Sequence, residues 1–323
     1  MASQDLVTET LELIRMGGLL AGERPVLVML SGGRDSVCLV DVCVTLLRAD
    51  RVRALHVNYG LRARAEAEED HCRELCAGLE VALHVHKATK PEDAGNTQAW
   101  ARTVRYDAAE ELARTEDALI ATGHTASDQV ETILYRLAAS PGRRALLGMA
   151  PAAGRVVRPL LAITREQTGS YCRARSLDWC EDESNDTDTY ARGRVRAGLV
   201  PALRAVHPAA ESSVLATARL LREETELLEN LVDTELEGQR SIQTERLASL
   251  HPALARMIVV RLAEQAAGTF VPQAGDRVGE ILGLAARGTA AELHVGGLVS
   301  AVIEHGRLSM KRIAPHYPSP NAH

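Results

Sequence analysis

Apolar and polar positions along the first part of the chain follow a pattern of short strands alternating with helices. Residues 26–30 read Val-Leu-Val-Met-Leu, an unbroken apolar run that is typical of a strand covered on both faces. Similar patterns predict further strands over 52–57, 81–85 and 118–122, and helices over 37–48, 65–79, 96–114 and 127–138. Strands that alternate with helices predict an α/β fold with a doubly wound, mostly parallel sheet.

The pattern changes near residue 206. Residues 211–237 are rich in leucine and glutamate at helical spacing, which predicts one long helix. Helices over 252–267 and 275–286, followed by three short strands, then predict a small α+β unit. We therefore expect a large domain over residues 1–205, and a helical linker with a small C-terminal domain over 206–323.

Composition and charge limit the classes of function. The 323 residues are 46% hydrophobic, enough for two cores, and the net charge of −6 argues against a general nucleic-acid binder. The six cysteines include no CxxC pair, so we expect reduced thiols. The sequence has no apolar run of about 18 residues and no signal-peptide pattern, so we expect no membrane span and a cytoplasmic location.

A glycine-rich hexapeptide, Ser-Gly-Gly-Arg-Asp-Ser at 31–36, follows the first predicted strand and opens a helix. Its two glycines allow the backbone to approach a ligand closely, and the amino end of the helix favours an anion. The loop matches neither GxxxxGK[ST] nor GxGxxG. It predicts a phosphate-binding turn in which Asp35 holds Mg²⁺, since bare phosphate would repel a carboxylate.

Two charged pairs on predicted helices are candidates for chemistry. Arg102 and Arg105 lie three residues apart, so they share a helix face and can stabilise negative charge on phosphate. Asp128 and Glu131, near the start of another helix, have the spacing to bind an ammonium group or Mg²⁺. On the residue pattern alone, solvated arginines and acids that complement a helix dipole are alternative interpretations.

Arginines are concentrated between residues 158 and 204. Arg192, Arg194 and Arg196 alternate along the chain and would share one face if this segment were extended. The same stretch carries Arg158, Arg165, Arg173, Arg175 and Arg204. We expect this local basic surface to contact a nucleic-acid backbone despite the acidic total charge.

Several motifs, in this order and spacing, resemble those of one known family. The pattern SGGxDS resembles the pyrophosphatase loop (PP-loop) of the ATP-pyrophosphatase superfamily. Further segments resemble tRNA(Ile)-lysidine synthetases: HVNYGLR at 56–62, NTQAWARTVRY at 96–106, TGHTASDQVET at 122–132 and WCEDESNDTDTYARGRVR at 179–196. The similarity is strong over residues 25–205, whereas the C-terminal part matches only in length and in its general sequence pattern.

The resemblance implies a two-step reaction on an isoleucine tRNA with a CAU anticodon. ATP would adenylate the C2 oxygen of the wobble cytidine and release pyrophosphate. The ε-amine of free L-lysine would then displace AMP and give lysidine. ATP and Mg²⁺ are the implied cofactors, a homodimer is implied, and the C-terminal domain is implied to bind tRNA.

The residue patterns and the resemblance together assign roles to individual residues. Catalysis is assigned to Asp35, Arg102, Asp128 and Glu131, with Asp35 and Asp128 as metal ligands. ATP binding is assigned to Leu30, Ser31, Gly32, Gly33, Arg34, Asp35, Ser36, His56, Val57 and Gly123. Substrate or tRNA contacts are assigned to Arg62, Arg105, Arg192, Arg194 and Arg196. Ser127 stands where the family commonly has a second aspartate, which leaves one carboxylate fewer near the metal.

Two other functions compete with this reading of the sequence. A tRNA 2-thiocytidine-type sulfur transferase would share the SGGxDS loop, although such enzymes generally use CxxC pairs, which this chain lacks. A non-catalytic adenine-nucleotide-binding module would need the loop, but it would not need Arg102, Asp128 and Glu131 together.

Overall fold

A computed structural model describes residues 2–61, 64–91, 93, 95–140, 142–181, 191–288 and 290–313. The chain divides into two compact units, Met1–Arg219 and Leu220–His323. This division lies inside one long helix, whereas the sequence pattern placed it before that helix. The role predicted for residues 206–323 in binding tRNA stays a prediction.

Helices and strands alternate through the first unit. Its helices are α1 (Ala2–Met16), α2 (Arg34–Leu47), α3 (Ala65–Gly78), α4 (Thr97–Thr115), α5 (Ala126–Ala139), α6 (Arg143–Leu146), α7 (Arg165–Ala174), α8 (Ala191–Arg194) and α9 (Val200–Val206). Helix α10 (Ala210–Leu236) continues into the second unit. The strands are β1 (Val26–Met29), β2 (Val52–Asn58), β3 (Ala82–Lys87), β4 (Leu119–Ala121), β5 (Ala152–Ala153) and β6 (Val156–Val157).

The six strands form one sheet in the order β3-β2-β1-β4-β6-β5. Strand β1 pairs in parallel with both β2 and β4, so Val26 lies opposite Val52 on one side and Leu119 on the other. Within the described part of this sheet, only the pairing of the short β5 with β6 is antiparallel. The predicted doubly wound, mostly parallel sheet is confirmed. Its topology brings the carboxyl ends of β1, β2 and β4 to one edge, where such sheets bind ligands.

Side chains of β1 alternate between two cores, which explains its unbroken apolar run. Val26 and Val28 pack in the core that includes α2 and α7. Leu27 and Met29 pack in a second core on the opposite face, with Ala109 of α4. Helices therefore cover both faces of the sheet and hold the end of β1 in a fixed position. Truncating fully buried Leu27 to alanine would cost about 2–5 kcal/mol.

The arginine-rich segment after residue 190 is helical and not extended. Helix α8, a π-helical turn (Val195–Leu199) and α9 follow one another directly, with Pro201 in the first turn of α9, where its missing N–H costs little. Residues two apart on a helix point to different sides. The alternating arginines of this segment therefore do not share one face, and that geometric expectation was wrong.

The second unit combines helices with a small antiparallel sheet. Its elements are β7 (Ser241–Gln243), α11 (Thr244–Ser249), α12 (Pro252–Ala267), α13 (Val278–Ala285), β8 (Ala291–Gly296), β9 (Val299–Glu304) and β10 (Arg307–Arg312). The sheet order is β7-β10-β9-β8, around a core that includes fully buried Ile258 and Leu308. The predicted small α+β unit is confirmed, although β7 and α11 are too short to show a sequence pattern. No helix among the described residues has the length and apolarity needed to cross a membrane.

Candidate active site

The loop over residues 31–36 is organised by its own hydroxyl groups. The Ser31 N–H donates to Ser36 Oγ at 3.2 Å, and Ser36 Oγ donates to the Gly33 carbonyl at 2.8 Å. Gly33 precedes α2 and provides no side-chain cap, so the amino end of this helix can accept an anion. The loop is therefore ordered without a ligand at the end of β1, and we call residues 31–36 the phosphate cradle after their predicted role.

Glycines are required at two close approaches around this loop. Gly32 has a φ of +83°, and a Cβ there would lie 3.3 Å from Cys72 Sγ. A Cβ on Gly123, which follows β4, would lie 3.2 Å from the carbonyl carbon of Asp35 and 3.3 Å from the Ser36 nitrogen. The turn after β4 thus packs directly on the first turn of α2.

Three carboxylates converge on one guanidinium beside the loop. Arg165, the first residue of α7, places Nε 3.5 Å from Asp35 Oδ2. Its Nη2 lies 2.6 Å from Asp128 Oδ1, and its Nη1 lies 3.2 Å from Glu131 Oε1. We call Asp35, Asp128 and Glu131 the acid group. The structure brings together three of the four residues predicted to be catalytic, although their catalytic roles stay predictions.

A helix cap fixes Asp128 at the start of α5. Asp128 Oδ2 accepts hydrogen bonds from the Thr125 N–H at 2.8 Å and from Thr125 Oγ1 at 2.7 Å. Burial raises the pKa of Asp128, but the charge of Arg165 and the bonds from Thr125 outweigh it, so the pKa lies below the ordinary aspartate value. Asp128 is therefore an ionised, oriented carboxylate.

Glu131 is buried, at 4% exposure, and is held by a second guanidinium. Arg196 donates from Nε to Glu131 Oε1 at 2.7 Å and from Nη2 to Oε2 at 3.1 Å. This bidentate pair ties the π-helical turn to α5. Arg196, which was assigned to tRNA from the sequence, thus contacts the acid group.

Helix α7 supplies contacts that the sequence analysis missed. Thr168, which is fully buried, donates from Oγ1 to Asp35 Oδ1 at 2.5 Å. The Arg165 N–H donates to Ser127 Oγ at 3.1 Å. Thr164 and Gln167 form a capping box, a T-x-x-Q signal visible in the sequence that locates the start of α7. That signal gives the helix start, but it does not reveal which carboxylates Arg165 contacts.

His124 lies between the acid group and several arginines. Its Nδ1 is 2.8 Å from Thr122 Oγ1. Burial lowers the pKa of His124 to about 4; Asp128 opposes this shift, and the charges of Arg158, Arg105 and Arg192 add to it. The imidazole is therefore neutral at physiological pH, and it serves as a hydrogen-bonding group there.

Comparisons with known proteins agree with this arrangement. A family profile described as a PP-loop domain matches residues 3–203. A tRNA(Ile)-lysidine synthase from Gloeobacter violaceus is 37% identical over 256 residues, which cover 76% of this chain and 78% of the relative. The chain belongs to the tRNA(Ile)-lysidine synthase family of PP-loop proteins.

Other relatives differ from this chain in length. A tRNA(Ile)-lysidine synthase from a Nostoc species is 38% identical over 225 residues, which cover 67% of this chain and 65% of the relative. One from Pseudomonas fluorescens is 35% identical, with 73% of this chain and 54% of the relative covered. The chain thus spans little more than half to about two thirds of these two family members.

A solved structure shares the fold. The U34-tRNA thiolase NcsA from Methanococcus maripaludis, with its [4Fe-4S] cluster, superposes with a TM-score of 0.57 at 17% identity. The alignment covers 68% of this chain and 80% of the thiolase. At this identity the likeness concerns the fold alone. The six cysteines of this chain are free thiols, five of them buried.

A hydrogen bond joins the ends of β1 and β2, which family resemblance assigns to the adenine nucleotide. His56 Nδ1 lies 3.0 Å from the Leu30 carbonyl oxygen, which can only accept, so Nδ1 carries the hydrogen. Leu30, His56 and Val57 are all buried. The side chains of Leu30 and Val57 belong to the cores. The predicted contacts of these two residues with a nucleotide would therefore be made by backbone atoms.

Arg102 and Arg105 of α4 both lie near the ring of Tyr106. Arg102 is exposed and stacks over Tyr106, with its Cζ 4.8 Å from the ring centroid, and Arg105 lies 5.9 Å from the same ring. Among the ion pairs of the described residues, none joins Arg102 to a carboxylate. The catalytic role that family resemblance gives to Arg102 stays a prediction. Arg62 lies outside the described residues.

Mg²⁺ was expected at Asp35 and Asp128, so the fit of these residues to a metal matters. Their oxygens suit Mg²⁺ by type, but the guanidinium of Arg165 joins them. No group of three His, Cys, Asp or Glu side chains is arranged to hold a metal within the described parts of the chain. The arrangement does not fit a metal held by the protein's side chains alone.

Proposed function

We propose that this chain catalyses ATP-dependent formation of lysidine on an isoleucine tRNA with a CAU anticodon. One observation carries the proposal: the carboxylates of Asp128 and Glu131, which suit an amine, lie beside Asp35 of the phosphate cradle. Relatives named tRNA(Ile)-lysidine synthase support it. An adenylating loop and an amine-binding pair in one cleft are what the two steps require.

The first step transfers an adenylyl group. The C2 oxygen of the cytidine attacks the α-phosphorus of ATP; an O–P bond forms and the bond to the leaving pyrophosphate breaks. The loop over 31–36 and the amino end of α2 bind the phosphates and stabilise their negative charge. We place Arg102 and Arg105 at the leaving pyrophosphate. Mg²⁺ is proposed to enter as part of the ATP complex.

The second step replaces AMP with lysine. The ε-nitrogen of lysine, after it loses a proton to solvent, forms a bond to C2, and the bond from C2 to the adenylate oxygen breaks, so that AMP leaves. Because the pKa of Asp128 is lowered, this carboxylate stays ionised and suits binding of the amino acid's positive charge. Asp128 and Glu131 thus orient lysine toward the adenylated base.

We propose that tRNA is bound by a local basic surface, since the net charge of the chain is −6. Arg192 and Arg194 are exposed on α8 and are the strongest candidates, together with Arg62 and residues of the C-terminal unit. Arg196 is assigned to Glu131 instead. The reaction is proposed to occur in the cytoplasm, and a homodimer stays a prediction from the family.

A pyrophosphate-release assay tests the proposal. The purified chain, ATP, lysine and the CAU isoleucine tRNA should release pyrophosphate, and mass analysis should show one lysine added to the wobble cytidine. The Asp35→Ala variant should fold and release none. ATP binding without pyrophosphate release would favour a nucleotide-binding module, and release without lysine incorporation would favour another adenylating reaction. The methionine tRNA with the same anticodon is the matched control substrate.

A further inference from the structure

Arg165 has a position that no assigned role explains. Its guanidinium contacts all three members of the acid group, and its backbone N–H is fixed by Ser127. The side chain is only 24% exposed. A guanidinium has five N–H donors in a planar fork, whereas a lysine ammonium is a single point charge that could not span three carboxylates in this way.

Charges around the acid group already balance. Among the described residues, its three carboxylates are contacted by three guanidiniums: Arg165, Arg196 on Glu131, and Arg34, whose Nε lies 3.4 Å from Asp35 Oδ1. Interactions between charges are stronger in such a partly buried cluster than in water. A bare divalent cation that entered the intact group would therefore meet positive charge between Asp35 and Asp128.

We propose that Arg165 is a positioning residue that acts as the resident cation of the acid group. It keeps the three carboxylates oriented while no ligand is bound, and it excludes free divalent cations. The incoming amine takes over a carboxylate from a site that is already arranged, so little reorganisation is needed. The identity of that amine, lysine, rests on the proposed function, whereas the exclusion of divalent cations does not.

Binding of Mn²⁺ to the full chain without nucleotide tests the proposal directly. The free Mn²⁺ signal in electron paramagnetic resonance should show no saturable site at the acid group of the wild type. Arg165→Met should create one saturable site, with a Kd at least about tenfold lower than that of any residual Mn²⁺ binding by the wild type, because a unit positive charge is lost beside the carboxylates. This site should disappear in the double variant R165M/D128N. Arg165→Lys, which retains the charge, should not create it.

The matched control is Arg246→Met in the second unit. Arg246 also pairs with a carboxylate, that of Glu235 at 2.6 Å, but on an exposed surface. It should gain no Mn²⁺ site. A saturable wild-type site that D128N abolishes, or equal Mn²⁺ binding by R165M and R246M, would overturn the proposal. If R165M does not fold, as judged by circular dichroism, Mn²⁺ titrations of Arg165→Gln and of the wild type still test the proposal.

Kinetics provide a second readout. Arg165→Met should raise the lysine KM roughly tenfold, which corresponds to about 1.4 kcal/mol of binding. The reason is that the carboxylates lose the orientation that an amino acid needs and a spherical metal ion does not, and this loss outweighs the gain from one positive charge fewer. Pyrophosphate release with tRNA but without lysine should change much less. If Arg165 had a purely structural role, the variant would reduce the rate of lysine incorporation and the rate of pyrophosphate release equally, in proportion to the folded fraction. That result would contradict the proposal. Arg165→Lys should recover part of the lysine affinity. If the wild type forms no lysidine, the proposed function fails, while the Mn²⁺ titration still tests Arg165.

Discussion

The guanidinium of Arg196 binds both carboxylate oxygens of Glu131, through Nε at 2.7 Å and Nη2 at 3.1 Å. This pair links the arginine-rich segment after residue 190 to the helix that carries the acid group. One arginine of that segment is therefore committed to a buried glutamate, while Arg192 and Arg194 are exposed. Substitutions can therefore test the proposed tRNA contacts of Arg192 and Arg194 separately from the contact of Arg196 with Glu131.

Arg196→Met should impair the use of lysine more than the binding of tRNA. Losing two hydrogen bonds to a buried carboxylate should lower the free energy of unfolding by about 1.5–3 kcal/mol, and Glu131 should lose its orientation. We expect a higher lysine KM and an unchanged salt dependence of tRNA binding in filter-binding assays. A flatter salt dependence of tRNA binding, with a normal lysine KM, would instead indicate that Arg196 contacts tRNA.

Arg192→Met combined with Arg194→Met should weaken tRNA binding. If each guanidinium neutralises one phosphate, the slope of log K against log salt should fall in magnitude by about 1.5–2. The lysine KM at saturating tRNA should not change. Arg114→Met, at an exposed arginine in the last turn of α4, is the control and should leave the slope unaltered. An unchanged slope in the double variant would remove these two arginines from the interface.

Gly123→Ala should damage the phosphate cradle. The new methyl group would lie 3.2 Å from the Asp35 carbonyl carbon, so the turn after β4 and the start of α2 must move apart. We expect a loss of about 1–3 kcal/mol in unfolding free energy and weaker ATP binding in calorimetry. Gly78→Ala is the control, because a Cβ at Gly78 meets no atom within 4 Å. Wild-type ATP affinity in G123A would show that this close packing is not needed.

His124→Asn should flatten the dependence of stability on pH. The pKa of His124 is about 4 in the folded chain and about 6.5 when unfolded, so the unfolded state binds more protons between these values. Stability should be highest above pH 6.5 and fall as the pH drops toward 4. Asp128, with its lowered pKa, loses its contribution only at still lower pH. Urea titrations should show that the free energy of unfolding falls less between pH 7 and pH 5 for H124N than for the wild type. An equal fall in both proteins would contradict the lowered pKa of His124.

Much of the fold could be predicted because its signals are local. The alternation of β1 with α2, and the positions of β2, α4 and α5, follow from side-chain periodicity and from the loop over 31–36. The carboxyl ends of parallel strands meet at one edge, so Asp35 and Asp128 could be expected close together. The two-residue strand β5 and the short helix α11 carry too few positions for such a pattern.

By itself, the sequence determined the alternating fold, the phosphate loop and the family, because each depends on residues close together along the chain. Only the tertiary structure decided the partners of the charges. Thr168 reaches Asp35 across 133 positions, and Arg165 meets Asp128 across 37. From the sequence, Arg165 and Arg196 were therefore expected to contact nucleic acid. In the structure, α7 packs on α2 and the π-helical turn packs on α5, and both arginines contact the acid group. A charge is visible in one residue, but its partner depends on which distant segments the cores bring together.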